Sequence, residues 1–178
     1  ISRASNQALN FIGANNDLII KVDNDCEFMT KNWLEDIVDL YERNKRIVVS
    51  PRVEGLRDTP GGVPRMSYLY IGRHFIGSAP HLGGICIAAP YEVYKFFRWN
   101  DIDFLHGEQD YIFSQFCLKA GFMLGYLENI IVEHIDTTQG QEEKYPDYFE
   151  EKKKLKTIKF NPEDYIIKKD ENTSNNKS

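Results

Sequence analysis

Cysteine is scarce in this chain: Cys26, Cys86 and Cys117 are the only three in 178 residues, an odd and widely spaced set. No Cys-X-X-Cys pair and no histidine at partner spacing accompanies them, so neither a zinc site nor a disulfide framework is expected, and free thiols in a reducing compartment are. Long apolar runs are missing as well. Stretches such as Ile85 to Ala89 fall far below the roughly 20 residues that a membrane helix requires. The first residues also lack a basic-then-apolar export pattern. The expectation is a chain with no membrane span, cytoplasmic or membrane-peripheral. An excess of positive charge is absent too, because 22 basic residues face 27 acidic ones for a net charge of -5. A broad cationic surface for nucleic acid is thereby excluded, and an anionic substrate would need local neutralisation, for example by a metal ion. No internal repeat is present.

What the sequence does contain suits one packed core. The composition is 42% hydrophobic and 13% aromatic over a length typical of a single domain. Ser5 to Asn10 reads as the end of a helix that stops at Gly13. Asp17 to Val22 is a short, branched, nearly continuous apolar run, the pattern of a strand buried on both faces in a parallel sheet. Thr30 is placed to cap a helix in which Trp33, Leu34, Ile37, Val38, Leu40 and Tyr41 recur at helical spacing. Ile47 to Ser50 supplies another buried strand, with Pro51 as its stop. Glu54 to Pro64 has loop chemistry, and the aromatic-rich stretch Tyr68 to Phe75 has no clean period, so it reads as loop with short strands. Gly83 to Ala88 reads as a strand, Tyr91 to Phe97 as a short helix and Gln109 to Ala120 as a longer one. Phe122 to Leu127 and Ile130 to Val132 read as strands, and Tyr145 to Lys156 as an amphipathic helix. This alternation predicts an α/β fold with a mainly parallel sheet, whose sites lie at the carboxyl ends of strands.

Three features carry chemistry. Asp23 and Asp25, one residue apart just past a buried strand, can hold a divalent cation that also binds phosphate oxygens. An isolated Asp-X-Asp is as readily an ordinary turn. An EF-hand is excluded, because Phe28 stands where that loop needs glycine, Leu34 where it needs a bidentate acid, and a strand rather than a helix comes first. The second feature, Gly107-Glu108-Gln109-Asp110-Tyr111, puts acids at a helix start. There the helix dipole alone favours an anion. The chemical alternative is that Asp110, or else Glu108, accepts a proton from an incoming hydroxyl. The third is His134, near a strand end, either structural or a nitrogen ligand for the same cation. Gly83-Gly84 permits a close backbone approach to a ligand, and equally an ordinary strand entry.

The order of these pieces resembles the family 2 glycosyltransferases and their GT-A relatives. The resemblance runs from Ser2 to Thr138 through Asn6 and Ala8, Asn15-Asn16-Asp17, Asp23-Asn24-Asp25, Trp33-Leu34, Gly83-Gly84, Gly107-Glu108-Gln109-Asp110, Ala120-Gly121 and His134. It implies a GT-A-like mixed, mainly parallel sheet flanked by helices, and an inverting, metal-dependent transfer of a sugar from a nucleotide sugar, of uridine type, to an acceptor hydroxyl on a carbohydrate or other acceptor. It implies Mn²⁺ or Mg²⁺ as cofactor, held by Asp25 and His134 with Asp23 near the metal or the ribose, and Asp110 as base. Asp23, Asn24, Gly83, Gly84 and Trp99 are the candidate substrate contacts. The family usually shows Glu-Asp at the base motif. Here the Asp at the fixed distance from Ala120-Gly121 is Asp110, Gln109 takes the Glu position, and Glu108 stays a competitor. The family's opening strand, helix and strand have no counterpart before Ile1, so residues 1–160 are expected to be a partial, N-terminally truncated catalytic domain and 161–178 a polar, disordered tail. Two alternatives stay open. One is a non-catalytic, carbohydrate-binding or scaffolding remnant of the fold. The other is a nucleotidyltransferase, whose glycine-rich basic phosphate loop is not seen.

Overall fold

The computed structural model describes residues 2–12, 17–55, 63–98, 109–135 and 138–154. Helix α1, Ser2–Phe11, is followed by the branched run as strand β1, Leu18–Val22, and the acidic turn leads into the short strand β2, Cys26–Phe28. Helix α2 spans Trp33–Arg43. Thr30 does not cap it. The backbone N–H of Met29 bonds the Ile131 carbonyl at 2.9 Å, and Thr30 Oγ1 extends that cross-strand contact by accepting the Ile131 N–H at 2.9 Å. The cap position falls to Asn32, with φ 58° and no side-chain hydrogen bond.

Strand β3, Ile47–Glu54, continues through Pro51 instead of stopping there. The reason lies in its partner: Phe122 to Val132, expected as two strands, forms one long strand β7, Met123–His134. Between β3 and β7 the register jumps, with Pro51 opposite Leu127 and Arg52 opposite Ile131. A residue without an N–H is tolerated at such a break in the ladder. The aperiodic aromatic stretch is a hairpin, β4 (Ser67–Ile71) and β5 (His74–Ser78), turned by Gly72-Arg73. Strand β6, Cys86–Pro90, begins later than expected, which leaves Gly83-Gly84 in the irregular approach to it. Helices α3 (Tyr91–Phe96) and α4 (Gln109–Lys119) match expectation. The helix expected near the end is α6 (Pro146–Lys154), and a further helix, α5 (Thr138–Lys144), precedes it. The expected tail, 161–178, lies outside the described residues.

The sheet order is β1-β6-β3-β7-β5-β4, with β2 added beside the far end of β7. The α/β class and the mixed, helix-flanked sheet are as expected. The balance of strand directions is not. Among the described residues five pairings are antiparallel and only β3 with β7 is parallel. Two of the five come from β6, which inserts antiparallel between β1 and β3, and the other three from the β4–β5 hairpin, its docking on β7 and the β2–β7 pairing.

Helices cover both faces. On one, Leu9 of α1, Val93 and Tyr94 of α3 and Ile112, Phe113 and Cys117 of α4 pack on Val48, Ile87, Leu124 and Tyr126. On the other, Ile37 and Leu40 of α2 cover Ile47, Val49, Ile76 and Leu127. Phe113 is fully buried, stacked on Tyr94 at 5.5 Å and edge-on to Phe97 at 5.0 Å between ring centres. A buried phenylalanine of this kind contributes about 3–5 kcal/mol relative to alanine. That packing fixes the first turn of α4, and Asp110 with it. Among the described residues no helix is long and apolar enough to cross a membrane.

Candidate functional site

The turn after β1 is held at both ends by backbone bonds. The Asp23 N–H donates to Ile85 C=O at 2.8 Å, which ties the turn to the approach of β6. The Ile135 N–H donates to Asp25 C=O at 2.8 Å, and in the β2–β7 ladder Cys26 faces His134. This pairing brings the Asp25 carboxylate to His134, with Oδ2 and Nε2 3.3 Å apart. Behind them, Gly55 has φ +83° and passes so close to the His134 carbonyl that an added Cβ would sit 2.7 Å from its oxygen. The loop after β3 therefore supports His134 only as long as that residue is glycine. His134 Nδ1 is buried and has no hydrogen-bond partner among the described residues.

Asp23 has a different partner. The Lys21 ammonium, on the same strand, lies 2.6 Å from Asp23 Oδ1 and also donates to the Gly84 carbonyl. On its other side Gly84 abuts Asp110, so closely that an added Cβ would overlap the carboxylate. Burial pushes the Asp110 carboxyl up from the ordinary aspartate range. Lys21 works against that, Asp23 reinforces it, and the hydrogen bond from the Gly84 backbone lowers it again. A carboxylate whose pKa is raised in this way is the stronger base when ionised, which suits it to accept a proton.

The segment 82–85 belongs to no strand, yet its polar groups are engaged one after another. Leu82 N–H donates to Ser114 Oγ of α4 at 3.0 Å and Gly83 N–H to the Tyr126 hydroxyl of β7 at 2.8 Å. Gly84 is bonded to Asp110 and Lys21, and Ile85 C=O accepts from Asp23. Tyr126 is itself fully buried, and the Arg65 guanidinium covers its ring at 3.8 Å. Arg65 pairs with Glu128 at 2.5 Å, the two side chains only 8% and 13% exposed.

Of the residues singled out from sequence, Asp23, Gly84 and Asp110 thus share one cluster, and Asp25 and His134 form a second pair on the same turn. Gly83 flanks the first, and Asn24 is exposed between the two aspartates. Glu108, Gly107 and Trp99 lie outside the described residues. Among the described residues no group of three His, Cys, Asp or Glu side chains converges on a point, and Asp25 Oδ2 and His134 Nε2 are a pair of adjacent donor atoms, one oxygen and one nitrogen. That set fits a hard divalent ion completed by substrate phosphate oxygens, which binds through one or two protein groups rather than in a closed cage. Cys26, on the same turn, donates to Asp23 C=O at 3.1 Å. Burial, then Asp23 and Asp25, raise its thiol, which lowers its thiolate fraction. Lys21, Ser114, Tyr126 and Arg65 escape sequence reasoning. Only Lys21 leaves a trace there, as a lone charge inside an apolar strand.

A mixed sheet between helices with an acidic turn at the end of a strand is the arrangement of the GT-A glycosyltransferases, and the fold of this chain is GT-A-like. Among solved structures it is similar to GalNAc-T7 crystallised with UDP, GalNAc and Mn²⁺, with a TM-score of 0.56 and 15% identity over 79% of this chain. The chain spans 31% of the length of that protein. No family profile matches the sequence, and no curated protein matches it.

Proposed function

We propose that the chain carries the metal and base half of a glycosyltransferase site, moving a sugar from a nucleotide sugar, of uridine type, to an acceptor hydroxyl, as the resemblance to family 2 implies. The supporting observation is the placement of Asp25 Oδ2, on the turn where Asp23 pairs with Lys21, 3.3 Å from His134 Nε2 of β7, near the half-buried Asp110, in a GT-A-like fold. Asp25 and neutral His134 would hold Mn²⁺ or Mg²⁺, which when bound supplies positive charge against the departing nucleoside diphosphate. Asp23, paired with Lys21, borders the ribose. Gly83 and Gly84 present backbone rather than side chains to the substrates. Asp110 takes the proton of the acceptor hydroxyl as its oxygen bonds the anomeric carbon. The bond from that carbon to the diphosphate breaks on the opposite face, and the electron pair leaves with the diphosphate.

The test is a pair of titrations and an assay. Mn²⁺ with UDP-sugars is expected to bind the wild-type chain and the Asp110→Asn variant alike, and to bind Asp25→Asn at least about tenfold more weakly. In the complete enzyme Asp110→Asn is expected to lose transfer. Turnover retained by Asp110→Asn would remove that residue as base. A stably folded chain indifferent to both Mn²⁺ and nucleotide sugars would instead favour a non-catalytic remnant.

A further inference from the structure

We infer that Tyr126 is a positioning residue of this site: its hydroxyl holds the Gly83 N–H, and through the adjoining Gly84 sets where Asp110 and Lys21 stand. The geometry separates this from simple packing. A buried tyrosine fills space with its ring, and the ring of Tyr126 does so under Arg65, locked in turn by Glu128 and by the Val63 carbonyl. The hydroxyl goes further. It reaches the Gly83 N–H at 2.8 Å, in a segment whose backbone has no ladder partner to hold it. The next residue carries both remaining contacts, Gly84 N–H with Asp110 and Gly84 C=O with Lys21. The bond to the Gly83 N–H pins the Leu82–Gly83 peptide plane, and only the dihedrals of Gly83 separate that plane from the one carrying the Gly84 N–H, with those of Gly84 between it and the Gly84 C=O. Three elements, β1, β7 and α4, thus meet at two glycines without side chains of their own, on the approach to β6. Among the described residues, Tyr126 is the contact from the β7 side.

A test needs a readout that packing alone would leave unmoved. Tyr126→Phe removes one oxygen and keeps the ring beneath Arg65, so the variant is expected to fold. In the ¹⁵N-labelled 178-residue chain, hydrogen exchange at Gly83 and Gly84 is expected to accelerate by about five- to tenfold, the worth of one hydrogen bond. Leu82 serves as the internal control, because Ser114 holds its N–H independently. With the Gly84 N–H bond loosened, the Asp110 carboxyl, followed by ¹³C chemical shift, should titrate at higher pH than in the wild type. Asp110 is faced by Lys21, Asp23 and Tyr126, of which only Tyr126 is altered. Faster exchange confined to Gly83, with Gly84 and Asp110 unchanged, would overturn the inference and leave Tyr126 a packing residue. Uniform acceleration of all three amides would overturn it as well, by indicating global destabilisation.

The inference deepens the proposed transfer at one point: in the complete enzyme Tyr126→Phe should lower kcat by about tenfold while KM for the nucleotide sugar stays within about twofold, as expected for loss of an interaction realised in the transition state. The exchange and titration experiments need no turnover. If no nucleotide sugar is ever transferred, the proposed function fails while the positioning of Asp110 by Tyr126 is still decided.

Discussion

Gly83 and Gly84 are neighbours with opposite steric surroundings, and replacing each by alanine separates a substrate-facing constraint from a generic one. Neither has a positive φ, so alanine is compatible with the backbone at both positions. At Gly83 an added Cβ would lie 3.6 Å from the Tyr126 hydroxyl, an ordinary contact. Gly83→Ala should therefore stabilise the fold by about 0.4–1 kcal/mol, through the reduced freedom of the unfolded chain. At Gly84 the same methyl would overlap the Asp110 carboxylate, which has to move. Overpacking costs about 1–3 kcal/mol, and the strained hydrogen bond to the carboxylate adds to it, so a loss of about 3 kcal/mol is expected. For a chain of this length that lowers Tm by roughly 6–12 °C, against a rise of roughly 1–4 °C for Gly83→Ala. Urea denaturation of both variants, with Tm read by circular dichroism, measures the difference. Equal effects of the two substitutions would refute the reasoning, because they would mean that Asp110 does not stand against Gly84.

Two further outcomes follow from the same geometry. Removing one partner of the buried Arg65–Glu128 pair, as Arg65→Met or Glu128→Leu, should cost about 3–5 kcal/mol in urea denaturation, whereas the double variant should recover most of it. A double variant no more stable than the singles would contradict this. The second concerns pH. Burial raises the folded pKa of Asp110 above the ordinary aspartate value of about 3.9. Its contribution to stability is thus full below that value and is lost as pH rises through the folded pKa. Asp110→Asn cannot ionise, so its stability relative to wild type should improve across that window and level off above it. A relative stability independent of pH would show that Asp110 is not buried as described.

Most of the individual elements were legible in the sequence, because β1, β6, α3, α4 and α2 carry their own apolar periodicity. Strand direction was not. A buried strand reads as branched and apolar whichever way its neighbours run, and nothing local to Cys86–Pro90 announces that it inserts between β1 and β3. The hairpin of Tyr68 and Phe75 was obscured for a related reason: Tyr68 and Tyr70 are exposed aromatics at 58% and 70%, so the alternation that marks a half-buried strand is lost. At the site, Asp23, Asp25, Asp110 and His134 were found by residue type, spacing and family resemblance. Which of them face each other was anticipated only for Asp25 and His134, and only through the family resemblance. The pairing of Asp25 with His134 depends on the β2–β7 register, and that of Asp23 with Lys21 on side-chain geometry. The residues behind them, Tyr126, Arg65 and Ser114, are ordinary core or loop residues in sequence, and only the fold gives them an address.

That pairing has a consequence for charge at the proposed site. Three carboxylates, Asp23, Asp25 and Asp110, meet one protein cation, Lys21, with His134 neutral as a ligand must be. The remaining two negative charges match a divalent ion. Lys21 occupies Asp23, and in the proposed site it would thereby leave Asp25 to the metal. It also lowers the Asp110 carboxyl against the effect of burial. Lys21→Met should therefore do two things in opposite directions. Asp23, freed of its partner, becomes available as a further oxygen donor, so Mn²⁺ should bind more tightly in a calorimetric titration. Asp110, without the nearby ammonium, should ionise only at higher pH, so the acid limb of a transfer rate profile should move upward. Lys21→Arg keeps the charge and should leave Asp110 where it is. Weaker Mn²⁺ binding in Lys21→Met would refute the division, since it would mean that Asp23 already shares the ion with Asp25 and that Lys21 only steadies both.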